Sequence, residues 1–389
     1  MNFITFLKTY FNQISTICDT RQQSKVIYNI SDILILIIIA MMCDYKNILT
    51  IQQFVKQNKL VLYKHQLLKN TTQIPSKNTF YRILDIVNWN QLKSISSILM
   101  YELPSDIKNT LKTNKISKIM DGKFIKGNKH NSLRAINIVS LFDSSLGVVI
   151  DQECVISKDC EKYAMRKLVR SLNQNDILSI DAIACDSKTL RIFNENQIQY
   201  VVALKKNNKT LLNRSKLLLD EEDKNARVFY LKESSYIQNG KIIAKEYFAA
   251  YINNKIDEIF NLDRYKKCGI KFIIKEVKKT YNKRTKETTI TIRYFVSNMI
   301  NIKKIAQVIQ EHWAIESYHW LLDTVFVEDK STIANKNSTT ILNIFRKLIL
   351  TLLKTNKFKK KGYSNQQILK INNNNVDLFL FKLETILFD

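Results

Sequence analysis

The spacing of apolar side chains separates a helical first part of the chain from a mixed second part. Residues 1–110 repeat apolar positions three and four apart in TFLKTYFNQISTIC, NISDILILIIIAMMC and ILTIQQFVKQNKLVLY, which is typical of helices. The apolar run from Ile33 to Cys43 is too short to span a bilayer and predicts a buried helix. These patterns predict an all-helical N-terminal domain over residues 1–110.

One of these helices is predicted to begin near Pro75 and Ser76, ahead of the apolar positions in NTFYRILDIV. This amphipathic helix carries Lys77 and Arg82 after a short polar start, so it could be a helix that recognises DNA. Arg82 is therefore a candidate DNA contact, and residues 1–110 are the candidate for binding DNA ends. An ordinary helix of a bundle fits the same pattern equally well.

Short β runs replace helical spacing from about residue 111. KISKIMDGKFI, RAINIVSLFD and GVVIDQECVI predict three strands, followed by the helix CEKYAMRKLVRSLN, the strand DILSIDAIA, the helix SKTLRIFNENQ and the strand YVVALK. The order βββαβαβ predicts an α/β fold, with a mixed sheet flanked by helices as in ribonuclease-H-like domains. Residues 111–205 are expected to form the first part of this core.

Three further segments are predicted in the rest of the chain. Residues 206–298 contain short strand patterns such as RVFYLKE, KEYFAAYI and TTITIRYFVS, which predict a β-rich insertion. Helical spacing returns over residues 299–355, which are expected to complete the core. The lysine-rich and asparagine-rich residues 356–389 predict a looser basic tail.

The segment HWAIESYHWLLD combines an unusual amount of apolar surface with ionisable groups, and it holds two of the three tryptophans of the chain. On a helical wheel one narrow stripe contains His312, Glu316, His319 and Asp323. Apolar side chains cover the rest of the helix, so we expect Trp313, Trp320 and the aliphatic residues to hold it rigidly. A polar seam with Glu–His contacts is the simpler alternative.

Composition favours a polyanionic partner without locating its binding surface. The formal net charge is +26, which suggests nucleic acid, although six glycines and two prolines among many Lys, Asn and Ile also fit an AT-rich genome. The cysteines form no CxxC pair, and with four histidines a structural zinc site is not expected. No signal peptide or membrane span is recognised, so a cytoplasmic protein is expected.

Three carboxylates are distinguished by their positions: Asp121 within the first predicted strand, Asp181 at the end of another, and Glu316 on the unusual helix. An aspartate at a strand end is commonly a helix cap or turn former. Together, however, two strand acids and one helix acid can hold two divalent cations about 3.5–4 Å apart. Oxygen ligands favour Mg²⁺ or Mn²⁺ over zinc.

Such a pair of ions would activate a water or a DNA 3′-hydroxyl and stabilise the leaving oxygen of a phosphodiester displacement. Lys123 and Lys126, which follow the first aspartate, and Lys205, which follows the last strand of this core, are candidate phosphate contacts. His319 is a further candidate for a metal or DNA contact, although exposed lysines and buried histidines often have no such role.

The motifs DGKFIKG, SIDAIAC, YVVALKKN and HWAIESYHWLLDTVFVED resemble those of DDE transposases of the H-repeat-associated (ISAs) insertion-sequence family. The similarity extends to PSKNTFYRIL upstream and IANKNSTTILNIFRKLILTLLK downstream. It implies a ribonuclease-H-like core with a β insertion before the last acid, and magnesium-dependent cutting and joining of DNA ends. The acids that it implies are Asp121, Asp181 and Glu316.

Some positions depart from the family pattern. Asp186 stands where a glutamine is usual, and Lys205 to Asn208 replace a lysine-glycine-asparagine-glutamine stretch, which leaves Asn207 as a candidate DNA contact. The wider superfamily places a tyrosine, an arginine and a lysine around its glutamate, where this chain has Ile309, His312 and Asp323. His312 is accordingly a candidate DNA contact, and no implied metal ligand is lost.

The sequence therefore predicts a transposase that acts on double-stranded DNA, with a homodimer or larger assembly expected when two ends are paired. Two alternatives stay open. One is a non-catalytic or domesticated DNA-binding derivative of a transposase, and the other is a metal-dependent nuclease without strand transfer.

Overall fold

The computed structural model describes residues 2–128, 136–155, 160–220, 228–252, 262–333, 335–355 and 357–385. Among these residues, no helix is both long enough and apolar enough to cross a membrane.

Helices account for most of residues 2–111, as the sequence predicts. Their bounds are Phe3–Cys18 (α1), Ile30–Met42 (α2), Ile48–Gln57 (α3), Lys59–Lys64 (α4), Lys77–Ile86 (α5), Trp89–Leu92 (α6), Ile95–Glu102 (α7) and Ser105–Leu111 (α8). The α2 helix is buried along almost its whole length, which explains its apolar sequence. Ser76 caps α5 by accepting a hydrogen bond from the Thr79 N–H, so the predicted helix start is confirmed.

The second part of the chain contains one large sheet. Its strands are Ser117–Ile125 (β1), Ile136–Asp143 (β2), Val148–Val155 (β3), Ile177–Ile180 (β4), Gln199–Leu204 (β5), Val228–Lys232 (β6), Tyr236–Gln238 (β7), Lys241–Tyr251 (β8), Phe272–Asn282 (β9) and Thr288–Ser297 (β10). They lie in the order β3-β2-β1-β4-β5-β10-β9-β8-β6, and β7 pairs with β8.

Strands β1 to β5 form the mixed sheet that the sequence predicts. β1 is antiparallel to β2 and parallel to β4, and β4 is parallel to β5. The helices Glu161–Leu168 (α9) and Ser187–Glu195 (α10) precede β4 and β5 and pack on one face of the sheet. This arrangement of a mixed sheet flanked by helices confirms the predicted α/β class and agrees with a ribonuclease-H-like core.

The segment predicted as a β-rich insertion continues the core sheet, because β10 pairs with β5 and carries β9, β8 and β6 beyond it. It begins with a helix that the sequence reading missed, Lys209–Asp220 (α11), whose buried side includes Leu211, Ser215 and Leu218. Residues 221–227 and 253–261 of this segment lie outside the described residues.

Helices return after β10, as predicted. They are Ile302–Glu311 (α12), Trp313–Phe326 (α13), Lys336–Lys354 (α14), Asn365–Asn374 (α15) and Val376–Thr385 (α16). Short 3₁₀ helices cover Gln23–Lys25, Lys126–Asn128, Val169–Ser171, Ala182–Ala184, Lys206–Asn208, Asp263–Cys268 and Glu328–Lys330.

The expectation of a loose C-terminal tail is wrong for residues 357–385. Apolar side chains of α15 and α16, including Leu369 and Leu383, join the core formed by α1, α2 and α14. His65 also contacts the last helix, with Nε2 2.7 Å from Asp377 and Nδ1 3.0 Å from Glu384. The abundant Lys and Asn of this region lie on the exposed side of the helices. They dominate the composition, so composition alone does not reveal the apolar side that packs in the core.

Opposite faces of the sheet are covered by different helices, and this determines where the acids point. Ile119 of β1 belongs to the core shared by α13, α14 and the N-terminal helices. Met120, the next residue, belongs to the core shared by α9 and α10. Because successive strand residues alternate between faces, Asp121 faces the α13 side.

Candidate active site

Asp121 and Asp181 lie side by side on neighbouring parallel strands. Met120 of β1 is opposite Ile180 of β4, so each aspartate is the next residue along its strand. Asp181 is the first residue after β4 and begins the 3₁₀ helix Ala182–Ala184. Neighbouring strands are about 4.8 Å apart, which brings the two carboxylates to one position on the sheet.

Glu316 reaches the same region from α13, which crosses the sheet on the face of Asp121. Buried side chains hold the helix in place, among them Ile315, Tyr318 and Leu322. The Tyr318 ring packs on Phe142 of β2 with 5.2 Å between centroids. Glu316 itself is exposed.

The expectation that tryptophans hold this helix is wrong. Trp313 and Trp320 are 45% and 63% exposed, so neither is packed in the core. The Arg293 guanidinium lies 5.2 Å from the Trp313 ring. A helical wheel that is apolar nearly all round does not show which apolar side chains face the sheet, and here the aliphatic ones and Tyr318 do.

A second glutamate anchors the end of α12 to the start of β1. Buried Glu311 accepts hydrogen bonds from the N–H groups of Ile116 and Ser117, at 3.0 and 2.8 Å to its Oε2, and from the Ser117 hydroxyl at 2.6 Å. These bonds fix the strand that carries Asp121 relative to the turn that leads into α13. No sequence pattern predicts this contact, because Glu311 stands just before the motif like an ordinary acid at the end of a helix.

The three candidate acids influence one another electrostatically. Burial is the main cause that raises the pKa of Asp121 to about 7, and the charges of Asp181 and Glu316 add to it. Burial also raises the pKa of Glu316, and Asp181 contributes in the same direction. The carboxylates are therefore close enough to repel one another, as expected for acids gathered in one site.

Asp181 is the exception, because Lys205 compensates its charge. Burial alone would raise the pKa of Asp181, but a hydrogen bond from Lys205 Nζ at 2.7 Å and one from the Ala182 N–H hold that pKa below its ordinary value. Asn207 supports the same loop by donating to the Ala182 carbonyl at 2.7 Å. Lys205 is 63% exposed and remains a candidate phosphate contact.

The two histidines of the motif lie between α13 and the sheet, where neither is positioned as a surface DNA contact. His319 Nδ1 is 3.6 Å from Asp121 Oδ2, and burial lowers the pKa of its imidazole to about 3, so the ring is neutral. His312 Nδ1 is 3.0 Å from the Ser179 hydroxyl, and burial lowers its pKa as well. Both rings instead support the strands that carry the aspartates.

Lys123 does not fit the expected phosphate contact, because its ammonium is buried among carboxylates. Its Nζ lies 2.8 Å from Asp323, 2.9 Å from Asp329 and 3.4 Å from Glu328, and the side chain is 9% exposed. This cluster ties β1 to α13 and to the 3₁₀ helix that follows it. It accounts for the acidic end of the sequence motif HWLLDTVFVED.

The other candidate DNA contacts are exposed. Lys126 is 3.2 Å from Asp329 and otherwise reaches solvent. Arg82 is exposed on α5 and lines a separate cleft with Arg21 and Lys25, apart from the one that holds the acids. The structure thus leaves Lys126, Lys205 and Arg82 able to meet a phosphate. Asn207 is exposed near Lys205, in the same cleft.

A cleft of about 750 Å³ borders the two aspartates, and it contains an acid that the sequence reading missed. Glu161, the first residue of α9, lines this cleft together with Asp121, Asp181 and Lys205. Its charge also raises the pKa of Asp121, after burial and Asp181. Nothing in the local sequence separates this glutamate from an ordinary acid in the first turn of a helix.

The donor chemistry of the site fits a hard divalent cation. All the acids offer oxygen, and a cation would relieve the repulsion that raises the pKa of Asp121. As the side chains stand in the described part of the chain, no three His, Cys, Asp or Glu groups form a ready-made metal cluster. The site is therefore suited to a metal by its chemistry rather than by a closed set of ligands.

Comparison with known proteins identifies related sequences over most of the chain. Residues 114–352 match the family model described as Transposase DDE domain, and residues 11–98 match the model described as DDE_Tnp_1-associated. The protein named "Putative transposase YncI" of Escherichia coli O157:H7 is 28% identical over 369 residues, which cover 93% of this chain and 91% of that protein. The "H repeat-associated putative transposase YhhI" of Escherichia coli strain K12 is 25% identical over 367 residues, or 92% of this chain and 93% of that protein.

Proposed function

The chain belongs to the transposase DDE domain family, and we propose that it cleaves the ends of an insertion sequence and joins them to target DNA. The family membership confirms the resemblance drawn from the motifs. Domains of this family use divalent metal ions in general, and for this chain we propose two ions of Mg²⁺ or Mn²⁺.

The proposal is supported by the packing of the three elements that carry Asp121, Asp181 and Glu316. Two of these acids are on adjacent parallel strands, and the third extends from the helix that covers the same face. The pKa of Asp121 is raised in part by the other two, which supports their closeness. Asp121, Asp181 and Glu316 are proposed as both metal ligands and catalytic residues.

When bound, the ions would activate the attacking hydroxyl and stabilise the leaving oxygen of a phosphodiester bond. The protein groups around them have supporting tasks. Neutral His319 would orient Asp121, and Glu311 would keep β1 in register with the helix that carries Glu316. Lys205 would release Asp181 to the ions and turn its ammonium to a phosphate.

The proposed partner is double-stranded DNA, both as element ends and as target. The formal net charge of +26 favours a polyanion, and Lys126, Lys205 and Arg82 are exposed for phosphate contacts. We also propose that the N-terminal helices bind the element ends. Two copies of the chain would be needed to hold two ends together, so a dimer on paired ends is part of the proposal.

An end-cleavage and joining assay tests this function. A labelled duplex with the element's terminal sequence, a supercoiled plasmid and Mg²⁺ should give a nicked or cut duplex and labelled plasmid. Asp121→Asn, Asp181→Asn and Glu316→Gln should each lower cleavage by more than about 100-fold, beyond the usual loss of a supporting residue at a metal site. All three should still bind the end duplex.

Asp176→Asn is a suitable control, because Asp176 pairs with Lys118 at the opposite end of β1 and β4 and should not affect cleavage. Cleavage without labelled plasmid would indicate a nuclease that does not join strands. Binding without cleavage by the unaltered chain would indicate a non-catalytic derivative. Cleavage that survives all three substitutions would refute the assignment of the acids.

A further inference from the structure

Glu161 occupies an unusual place for an acid, as a buried residue in the lining of the cleft that also contains Asp121. It is 5% exposed, although it begins a helix whose first turn is normally open to solvent. The helix, α9, packs on the face of the sheet opposite α13. Glu161 therefore approaches β1 from the α9 face, whereas Asp121 points to the α13 face. Both carboxylates nevertheless line the same cleft.

Gly122, the residue after Asp121, allows this approach. A Cβ atom at Gly122 would stand 2.5 Å from Oε1 of Glu161 and 3.0 Å from its carboxyl carbon, closer than atoms can pack. The carboxylate thus lies directly against the backbone of β1, one residue from Asp121. Any larger residue at position 122 would force Glu161 away from the strand.

Asn137 holds the same carboxylate from β2. Its Nδ2 donates a hydrogen bond to Glu161 Oε1, which fixes the orientation of the acid. Its Oδ1 is buried, has no hydrogen-bond partner among the described residues, and lies 3.1 Å from the position that a Gly122 Cβ would take. The unused acceptor and the oriented carboxylate thus lie side by side against Gly122, and the carboxylate also lines the cleft that contains Asp121. A cation or a water that it holds is one partner that such a buried acceptor can have.

We propose that Glu161 is a fourth carboxylate of the cation site, binding a divalent metal ion together with Asp121. This inference rests on the proposed function and specifies its metal site. Charge counting supports it, because two divalent ions carry four positive charges while Asp121, Asp181 and Glu316 supply three negative ones. Glu161 supplies the fourth, from the side of β1 that the other acids leave open.

Binding of Mn²⁺, measured by electron paramagnetic resonance with the full-length chain, tests this assignment without relying on catalysis. Glu161→Gln keeps the size and the hydrogen bond from Asn137 but removes the charge. We expect it to weaken Mn²⁺ binding about 10- to 100-fold, and to raise the Mg²⁺ concentration needed for half-maximal cleavage. Unchanged Mn²⁺ affinity in Glu161→Gln would overturn the proposal.

Glu153→Gln is the matched control, because Glu153 is equally buried and pairs with Lys93 and Lys167 instead of facing the cleft. It should bind Mn²⁺ like the unaltered chain. Should Glu161→Gln fail to fold, Glu161→Asp tests the same role, because its side chain is one methylene shorter and moves the carboxylate away from the ion. It should bind Mn²⁺ more weakly, and equal binding would overturn the proposal.

Asp121→Asn separates this inference from the proposed function. If Asp121→Asn loses Mn²⁺ binding and cleavage while Glu161→Gln keeps both, only the role of Glu161 is refuted. If Asp121→Asn also keeps both, the proposed function itself is refuted.

Discussion

The ammonium of Lys205 lies 2.7 Å from Oδ1 of Asp181, at the end of β4 where the candidate acids meet. A similar pair, Lys118 of β1 and Asp176 at 2.6 Å, stands at the opposite end of β4. The first lysine is exposed and can leave its partner, whereas the second is largely covered. The two pairs therefore provide a matched comparison of a lysine at the site with one remote from it.

Replacing Lys205 by Met should remove one phosphate contact from the complex with end DNA. The slope of log affinity against log salt concentration should then become shallower by about 1, as for the loss of one phosphate contact. Lys118→Met should leave that slope unchanged. Equal slopes for Lys205→Met and the unaltered chain, measured by fluorescence anisotropy in a KCl series, would exclude a phosphate contact by Lys205.

Removing the charge of Glu328 should destabilise the fold strongly. Glu328 is fully buried, 3.0 Å from Arg346 and 3.4 Å from Lys123, and these cations hold its pKa down against the effect of burial. Glu328→Gln would leave the buried Arg346 guanidinium without the charge of its carboxylate partner, at a cost of about 3–5 kcal/mol in the free energy of unfolding. Lys123 would keep Asp323 and Asp329.

Urea denaturation measures this cost, and the double variant Glu328→Leu with Arg346→Met is the control. Because the double variant removes the charge on both sides of the main pair, it should be less destabilised than Glu328→Gln. A Glu328→Gln variant as stable as the unaltered chain would show that the cluster does not hold β1 to α13.

Stability should rise with pH above neutrality because of Lys347. Burial lowers the pKa of Lys347 to about 7 from 10.5, and its Nζ contacts Ser140 and Gln152 with Glu328 and Lys123 nearby. Between these two pKa values the unfolded chain binds a proton that the folded chain does not. The free energy of unfolding should therefore increase with pH in this window, by up to about 1.4 kcal/mol per pH unit.

Lys347→Met should remove that contribution, so that its stability rises less steeply between pH 7 and 9. A smaller slope should remain, because burial also lowers the pKa of Lys354 to about 8. Urea denaturation at several pH values checks this prediction. Parallel pH profiles for Lys347→Met and the unaltered chain would mean that Lys347 does not lose its proton on folding.

Trp320→Ala should leave the fold almost as stable as before, within about 0.5 kcal/mol, because the side chain is exposed. Leu322→Ala should cost about 2–5 kcal/mol, since Leu322 is fully buried against the core. Thermal unfolding of both variants compares them directly. A large loss of stability in Trp320→Ala would contradict this prediction and show that Trp320 helps to hold α13 in place.

The positions of the two aspartates could be predicted because they depend on local order. β-Strand spacing places Asp121 within one strand and Asp181 at the end of another. The parallel pairing of β1 with β4 then aligns the two residues. Glu316 could be chosen from its sequence motif. The side of α13 that faces the sheet could not be predicted. Trp313, Tyr318 and Leu322 are all largely apolar, so the sequence does not show which of them are buried.

Other features depend on packing between distant segments, which local periodicity does not encode. Glu161 becomes part of the cleft only because α9 lies against Gly122 and Asn137. The β5–β10 pairing joins strands about ninety residues apart, so the insertion could not be recognised as an extension of the core sheet. The α11 helix was missed since the polar Ser215 lies in the middle of its buried side.

Asp121, Asp181 and Glu316 are proposed to bind the metal ions that support DNA cleavage. Replacing each acid in turn by cysteine exchanges a hard oxygen ligand for a soft sulfur, which binds Mg²⁺ poorly and accepts softer ions such as Mn²⁺ more readily. Cleavage of a labelled end duplex by Asp121→Cys should be lost in Mg²⁺ and recovered in part in Mn²⁺, while Asp121→Ala stays inactive in both. Cleavage at the unaltered rate in Mg²⁺ by all three cysteine variants would contradict the claim.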